Sequence, residues 1–380
     1  MRLLQSTKVI DGTCEICGKS SPDISTTLRV CGDCVRDRFD EAKPHIEAAH
    51  GEVRARYGLP ETMPSDPNGI QCDMCGNACK IPEDGVGLCG IVENDSGKLV
   101  RKLGTSERGL LNWYQDSIPT NCVSAWCCAG SSGAGYPKWC RTPRGDIGYN
   151  NLAVFIGSCT SNCLFCQNSS FRELTVKRKP VMSARELAGK ADEDVGCICY
   201  FGGDPASQMP FVIESARLAL KAAEEDERIL RVCLETNLSM NRSSLEEFAE
   251  LSMKSGGGIK ADLKSWSPEI LYALSGIKYH TTYENFKLIG YRQEERPEVP
   301  FARASTLLVP GYVDEEEIRG IASFIADINP TIPYSLLAFH PLYYMSDMPR
   351  LREEEANKFL EICEEEGLER ARLGNPWLIT

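Results

Sequence analysis

Cys159-Thr160-Ser161-Asn162-Cys163-Leu164-Phe165-Cys166 places three thiols at C-x3-C-x2-C spacing. An iron–sulfur cube takes four thiolates, so three in one tight loop leave one iron open to a substrate or cofactor. Buried core cysteines or a zinc site are the plainer readings of the same residues. The preceding run, Leu152-Ala153-Val154-Phe155-Ile156-Gly157, is apolar, partly β-branched and closed by glycine, which reads as a buried strand. The thiols therefore follow a strand's C-terminal end, where barrels and open α/β sheets carry their chemistry.

Outward from that loop, strand-like and helix-like segments alternate. Strands are predicted at 152–157, 197–201, 229–234, 258–263, 301–309, 334–339 and 369–373, and helices near 184–193, 210–225, 244–255, 281–292, 314–327 and 351–366. Such alternation argues for βα units on a parallel sheet, an α/β fold of the partial TIM-like barrel kind. Capping-box spacing at Ser183-x-x-Glu186 and Ser243-x-x-Glu246 gives two helix starts a physical cause. The expected division is a zinc-ribbon-like mini-domain at 1–60, a cysteine-rich leader at 61–150, a barrel at 151–345, and a helix and strand at 346–380 that complete it.

Polar residues recur at the predicted strand ends. Tyr200-Phe201-Gly202-Gly203-Asp204-Pro205 follows the second strand, where two glycines and a proline let backbone approach a ligand closely. Glu235-Thr236-Asn237 ends the third, and Asp262 and Lys264 share one face of the fourth by period two. Arg303 lies on the fifth, and His340 ends the sixth.

C-x3-C-x-aromatic-C with Phe165 at the aromatic position, followed by these motifs in this order, resembles the radical S-adenosylmethionine (radical SAM) superfamily. The stretches at 274–285 and 307–314 resemble pyruvate formate-lyase activating enzyme homologues in particular. Arg303 sits two residues farther from Val309-Pro310-Gly311 than in those enzymes. The resemblance implies a (β/α)6 barrel in which Cys159, Cys163 and Cys166 hold a [4Fe-4S] cluster and SAM chelates the fourth iron. It implies that Gly202 and Gly203, beside Asp204, receive the SAM ammonium, that Glu235, Thr236 and Asn237 meet its ribose, and that Asp262 and Lys264 fix its polar end. Arg303 and His340 would face cofactor or substrate. The implied activity is reductive cleavage of SAM to a 5′-deoxyadenosyl radical that abstracts hydrogen, with a flavodoxin or ferredoxin as electron donor. A glycyl-radical activating enzyme is the first reading. A maturase acting on another peptide or a small metabolite, or a non-catalytic iron–sulfur and zinc module, are the alternatives.

Nineteen cysteines without an export signal argue for metal rather than disulfides. Cys14-x2-Cys17 and Cys31-x2-Cys34 form two knuckles able to bind one tetrahedral zinc. Cys72-x2-Cys75-x3-Cys79-x9-Cys89 offers four more thiolates for zinc or a second cluster, and resembles the leader of AmmeMemoRadiSam-type proteins. Cys122, Cys127, Cys128 and Cys140 are a third group, read as a further metal site or as buried or reactive thiols.

A net charge of -12 argues against nucleic-acid backbones as partners. The N-terminus lacks a signal-peptide core and no apolar run reaches membrane-span length, so a cytoplasmic protein away from membranes is expected. The acidic run Asp314-Glu315-Glu316-Glu317 is read as a solvated helix start.

Overall fold

The apolar runs of the second half assemble into a sheet covered by helices, which is why they read as continuous hydrophobic stretches. In the computed structural model, residues 9–120, 122–277 and 280–380 are described; residues 1–8 and part of the 274–285 stretch, at 278–279, lie outside them. The strands of the main sheet are β1 (Arg108–Ser117), β2 (Asn150–Ile156), β3 (Val181–Ser183), β4 (Val195–Gly202), β5 (Arg231–Thr236), β6 (Ile259–Asp262), β7 (Ala302–Leu308), β8 (Tyr334–Ala338) and β9 (Ala371–Gly374). Their spatial order is β9-β8-β7-β6-β5-β4-β2-β1-β3. Every pair from β2 through β9 is parallel. Seven parallel strands in sequential order, with helices between them, make a partial TIM-like α/β barrel whose edges β3 and β9 do not meet.

The leader contributes to this sheet. β1 pairs antiparallel with β2, from Leu111 opposite Ile156 to Ser117 opposite Asn150, and Tyr114 stacks on Phe155 at 5.4 Å. Its polar second half, Asn112 to Ser117, hides the strand pattern in the sequence because much of it is exposed.

Helix boundaries follow the predictions with three corrections. Ser183 and Glu186 do form a capping box, but that helix stops at Ala188. The Arg242–Ser255 helix is capped by Asn241, which accepts from the Ser244 amide at 3.0 Å, in place of the expected Ser243 box. Asp314 caps the Glu315–Ile328 helix as expected of an acidic start, yet Glu317 is fully buried. Its carboxylate accepts the Ser267 amide at 2.9 Å, the Trp266 amide at 2.5 Å and the Ser267 hydroxyl, which fixes the start of the Pro268–Ser275 helix.

The N-terminal segment docks on the outside of the barrel. A two-strand ribbon, Gly12–Thr13 against Ser20–Ser21, leads into the helices Gly32–Asp37 and Phe39–Ala55. Arg36 pairs with Asp314 at 2.5 Å and with buried Glu317 at 3.5 Å, and the Tyr312 hydroxyl donates to the Val30 carbonyl at 2.8 Å. His50 is buried between a 3.0 Å contact to the Ala273 carbonyl and a 2.9 Å contact to Asn162 of the cysteine loop.

Burial pushes His50 down to about 4. An imidazole in the unfolded chain takes its proton near pH 6.5. Between those values the unfolded state binds the extra proton, so His50 favours folding fully above pH 6.5 and less as the pH falls toward 4. Urea unfolding at pH 7 and pH 4 is expected to show wild type losing about 3 kcal/mol more than His50→Gln. Equal losses would refute the buried neutral imidazole.

Candidate active site and thiol clusters

The cysteine loop leaves β2 and turns under constraint from four directions. The Asn162 amide donates to the Ser275 carbonyl at 2.8 Å and the Leu164 amide to the Leu274 carbonyl at 3.1 Å. The Asn77 side chain, from the leader, reaches the Thr160 carbonyl at 2.7 Å. Asn237, just past β5, donates to both the Thr160 and Ser161 hydroxyls at 2.8 Å. Arg172 donates to the Asn162 side-chain oxygen at 2.9 Å, opposite the His50 contact. Buried polar groups with satisfied partners hold one conformation, so these bonds fix where the three thiols point.

Cys159, Cys163 and Cys166 line a cavity of about 630 Å³ inside the barrel. Phe165, Gly202, Gly203, Asp204, Glu235, Thr236, Asn237, Asp262, Lys264 and Arg303 line the same cavity. His340 does not: it lies half-buried outside that lining, with Nδ1 unpartnered among the described residues, because the chain has already turned away after β8.

The glycine pair meets β2 at backbone distance. Gly202 has a φ of 101°, and a Cβ on Gly203 would lie 2.1 Å from the Ser158 carbonyl oxygen. Only glycine fits that approach. The Asp204 carboxylate is engaged internally: it accepts the Ala206 amide, the Thr236 hydroxyl and the Asn237 amide, each at 2.8 Å. Burial pushes Asp204 up to about 6, against those three donors. Asp204 and Thr236 thus position Asn237, which in turn holds the cysteine loop.

Charged residues farther along the wall come in pairs. Lys264 is ion-paired with Asp262 and its ammonium stands 5.7 Å from the Phe165 ring centre, whereas Lys260 pairs with Glu235 at 2.9 Å. Burial raises Cys159 well above the usual thiol range, reinforced by the Asp204 and Cys163 charges, and also raises Cys163. Metal binding there must displace thiol protons. The three thiols, the open glycine wall and the Asp262–Lys264 pair fit an iron–sulfur cluster and a zwitterionic ligand beside it.

The N-terminal quartet has a different geometry. The ligand atoms of Cys14, Cys17, Cys31 and Cys34 all lie within 4.8 Å of one another. Cys17 and Cys31 are 3.8 Å apart, about the edge of a tetrahedron with metal–sulfur bonds near 2.3 Å. Burial alone would raise Cys14, but the Cys17, Cys31 and Ile16 amides outweigh it and bring the thiol down to about 6. Among the described residues no other set of three metal-ligating side chains is gathered this tightly. Cys72, Cys75, Cys79 and Cys89 surround a cavity of about 10 Å³ that also touches Thr160 of the cysteine loop.

Sequence reading passed over Cys197, Cys199 and Cys233, which line the main cavity with Cys122 and Cys128. The period-two spacing of Cys197 and Cys199 was the available signal. Cys140 stands apart, bonded to the Ala134 and Thr142 carbonyls.

Cobalt(II) added to metal-stripped protein is expected to give tetrahedral thiolate absorption saturating at about one equivalent. Cys14→Ser/Cys31→Ser should abolish it; an unchanged spectrum would contradict the quartet assignment.

Residues 153–325 match the family model of the radical SAM superfamily. The isethionate sulfite-lyase activating enzyme of Desulfovibrio desulfuricans is 30% identical over 149 residues, covering 39% of this chain and 43% of that enzyme. The chain therefore spans less than half the length of that relative. Among solved structures, a domain of pyruvate-formate lyase-activating enzyme from Bacteroides vulgatus aligns at 20% identity over 47% of this chain and 99% of the domain, with a TM-score of 0.37. SuiB of Streptococcus suis bound to its precursor peptide SuiA aligns at 17% identity over 57% of this chain and 46% of SuiB, with a TM-score of 0.41. The span that matches the radical SAM superfamily model runs from β2, whose end carries the three thiols, into the Glu315–Ile328 helix.

Proposed function

We propose that this radical SAM enzyme cleaves S-adenosylmethionine reductively and abstracts hydrogen from a substrate held in the barrel, as an activating enzyme does. The observation that supports the reading is the shared cavity: the three thiols of one loop face the Gly202-Gly203 wall and the Asp262–Lys264 pair across the same space. A [4Fe-4S] cluster on Cys159, Cys163 and Cys166 would supply the single electron that breaks the sulfonium carbon–sulfur bond. The chain's own part is placement. Gly202 and Gly203 leave room for the amino-acid end of SAM, Asp262 and Lys264 offer it opposite charges, and buried walls keep water from a reactive intermediate. Glu235 and Lys260, deeper in the barrel, face the space left for substrate.

An external one-electron donor of the flavodoxin or ferredoxin type completes the cycle, and the Cys14 quartet holds a structural zinc. Glycyl-radical activation is favoured over peptide maturation by the 30% identity over 149 residues to the isethionate sulfite-lyase activating enzyme.

Anaerobic reconstitution followed by dithionite is expected to yield methionine and 5′-deoxyadenosine, with none formed by Cys163→Ala. A fully loaded cluster that leaves SAM intact would overturn the enzymatic reading in favour of a metal-binding module. Asp262→Asn is expected to weaken SAM binding by about 10- to 100-fold in calorimetry, the loss of one charge-assisted contact. Unchanged affinity would remove Asp262 from the SAM site.

A further inference from the structure

The main cavity extends beyond the part used for SAM. From the middle of the strands toward their N-terminal ends it is lined by Cys122 and Cys128 of the leader, Cys197 and Cys199 of β4, and Cys233 of β5. Backbone geometry brings three of these together. Residues two apart on a strand face one side, and parallel register sets Cys199 directly beside Cys233. Cys122 comes from the leader segment beneath the strands, its thiol 3.3 Å from the Glu235 carboxylate. Buried cysteines often serve only as small apolar residues. Here they line a cavity together with charge.

Arg303 separates the two readings. Four largely buried cations line the cavity, and three have carboxylate partners: Arg231 with Asp146 at 2.6 Å, Lys260 with Glu235, and Lys264 with Asp262. Arg303 is 4% exposed and, among the described residues, has no carboxylate partner. Its Nε lacks any hydrogen-bond partner, and one terminal nitrogen donates to the Pro300 carbonyl at 2.8 Å. Cys127, Cys128, Cys233 and Cys122 are the side chains whose negative charge would most favour its cation, and Cys122, Cys128 and Cys233 line the cavity with it. An uncompensated buried cation destabilises the fold. Neutral thiols do not offset that cost; metal-bound thiolates do, because they are anionic.

We propose that Cys122, Cys128, Cys199 and Cys233 supply the four ligands of a second iron–sulfur cluster on the barrel floor, with Arg303 as its buried countercharge, while Cys197 is bonded to the Asn151 side-chain oxygen at 3.2 Å. Thiolates select iron–sulfur clusters or zinc. No three of these thiols lie within 4.8 Å of one another, in contrast to the N-terminal quartet. A single ion bound near 2.3 Å by each sulfur needs ligands about 3.8 Å apart, whereas a polynuclear cluster bridges a wider set. The site faces the Cys159 loop down the length of the barrel and does not depend on SAM chemistry.

The test compares wild type with Cys199→Ser/Cys233→Ser as full chains reconstituted anaerobically. Iron and acid-labile sulfide are measured per chain, and electron paramagnetic resonance is recorded after dithionite with and without SAM. The double variant is expected to lose about four iron and four sulfide, the content of one cube, while keeping the signal that SAM perturbs. Cys128→Ser, in the leader rather than the sheet, is expected to show the same loss and serves where the double variant fails to fold. Unchanged iron and sulfide in a folded variant, or loss of zinc in place of iron, overturns the assignment. Persistence of the SAM-sensitive signal separates that failure from failure of the SAM site.

Discussion

The pinning of one eight-residue loop is the constraint on which the rest of this structure depends. Three thiols can offer an incomplete ligand set only if the loop cannot collapse, bringing them together or filling the gap with another side chain. Hydrogen bonds from the leader, the Phe39–Ala55 helix, β5 and the Pro268–Ser275 helix all end on Thr160, Ser161, Asn162 or Leu164, the residues between the cysteines. Each bond is buried, so breaking one exposes no compensating water and leaves a polar group unpaired. The N-terminal segment therefore bears on the site from outside the barrel: His50 touches the loop while Arg36 and Tyr312 clamp its helices to the barrel wall.

Charge is arranged along the barrel axis in the same economical way. At the C-terminal strand ends the Asp262–Lys264 pair is close enough to neutral to be buried, yet presents both signs to a zwitterion. Glu235 and Lys260 repeat the pattern midway. At the floor Asp146, from the leader, accepts both Arg141 at 2.7 Å and Arg231 at 2.6 Å, closing that end with a buried ion network. Removing one member of such a pair leaves a buried charge without compensation, the costly case. Among the described buried cations that line the cavity, Arg303 is the one without a carboxylate partner.

Much of the barrel was legible in the sequence because parallel strands with buried faces leave short, partly apolar runs between helical segments, and seven strands fall where predicted. Strand-end chemistry was legible too, since Gly202-Gly203 and Asp262-x-Lys264 follow strands at fixed offsets. What the sequence concealed depended on long-range contacts. Glu317 reads as one more surface acid until Ser267 and Trp266 are seen to surround it. Asp204 reads as a ligand residue, but its carboxylate is spent on Thr236 and Asn237. His340 ends a strand as a site residue should, and only the turn after β8 removes it from the cavity. Cys197, Cys199 and Cys233 look unremarkable one at a time, and only the parallel register places them side by side.

The leader explains why the barrel can be partial and still enclose its chemistry. β1 extends the sheet past β2 and lies antiparallel, so the chain can leave its far end and cross beneath the strands. The crossing segment reaches the opposite side: Trp126 donates to Ser335 of β8 at 3.2 Å, with Arg370 and Arg372 over its ring at 5.5 and 5.4 Å. Trp139 bonds Glu298 at 3.0 Å, while its carbonyl accepts from Arg231 at 2.7 Å. The floor is thus built by residues 122–146, the roof by the cysteine loop, and the remaining gap lies between the β1–β3 edge and β9, where exposed Tyr114 and Trp377 border the cavity. The missing strands and the cysteine-rich leader are two parts of one solution, the leader closing the floor while one side of the cavity stays open.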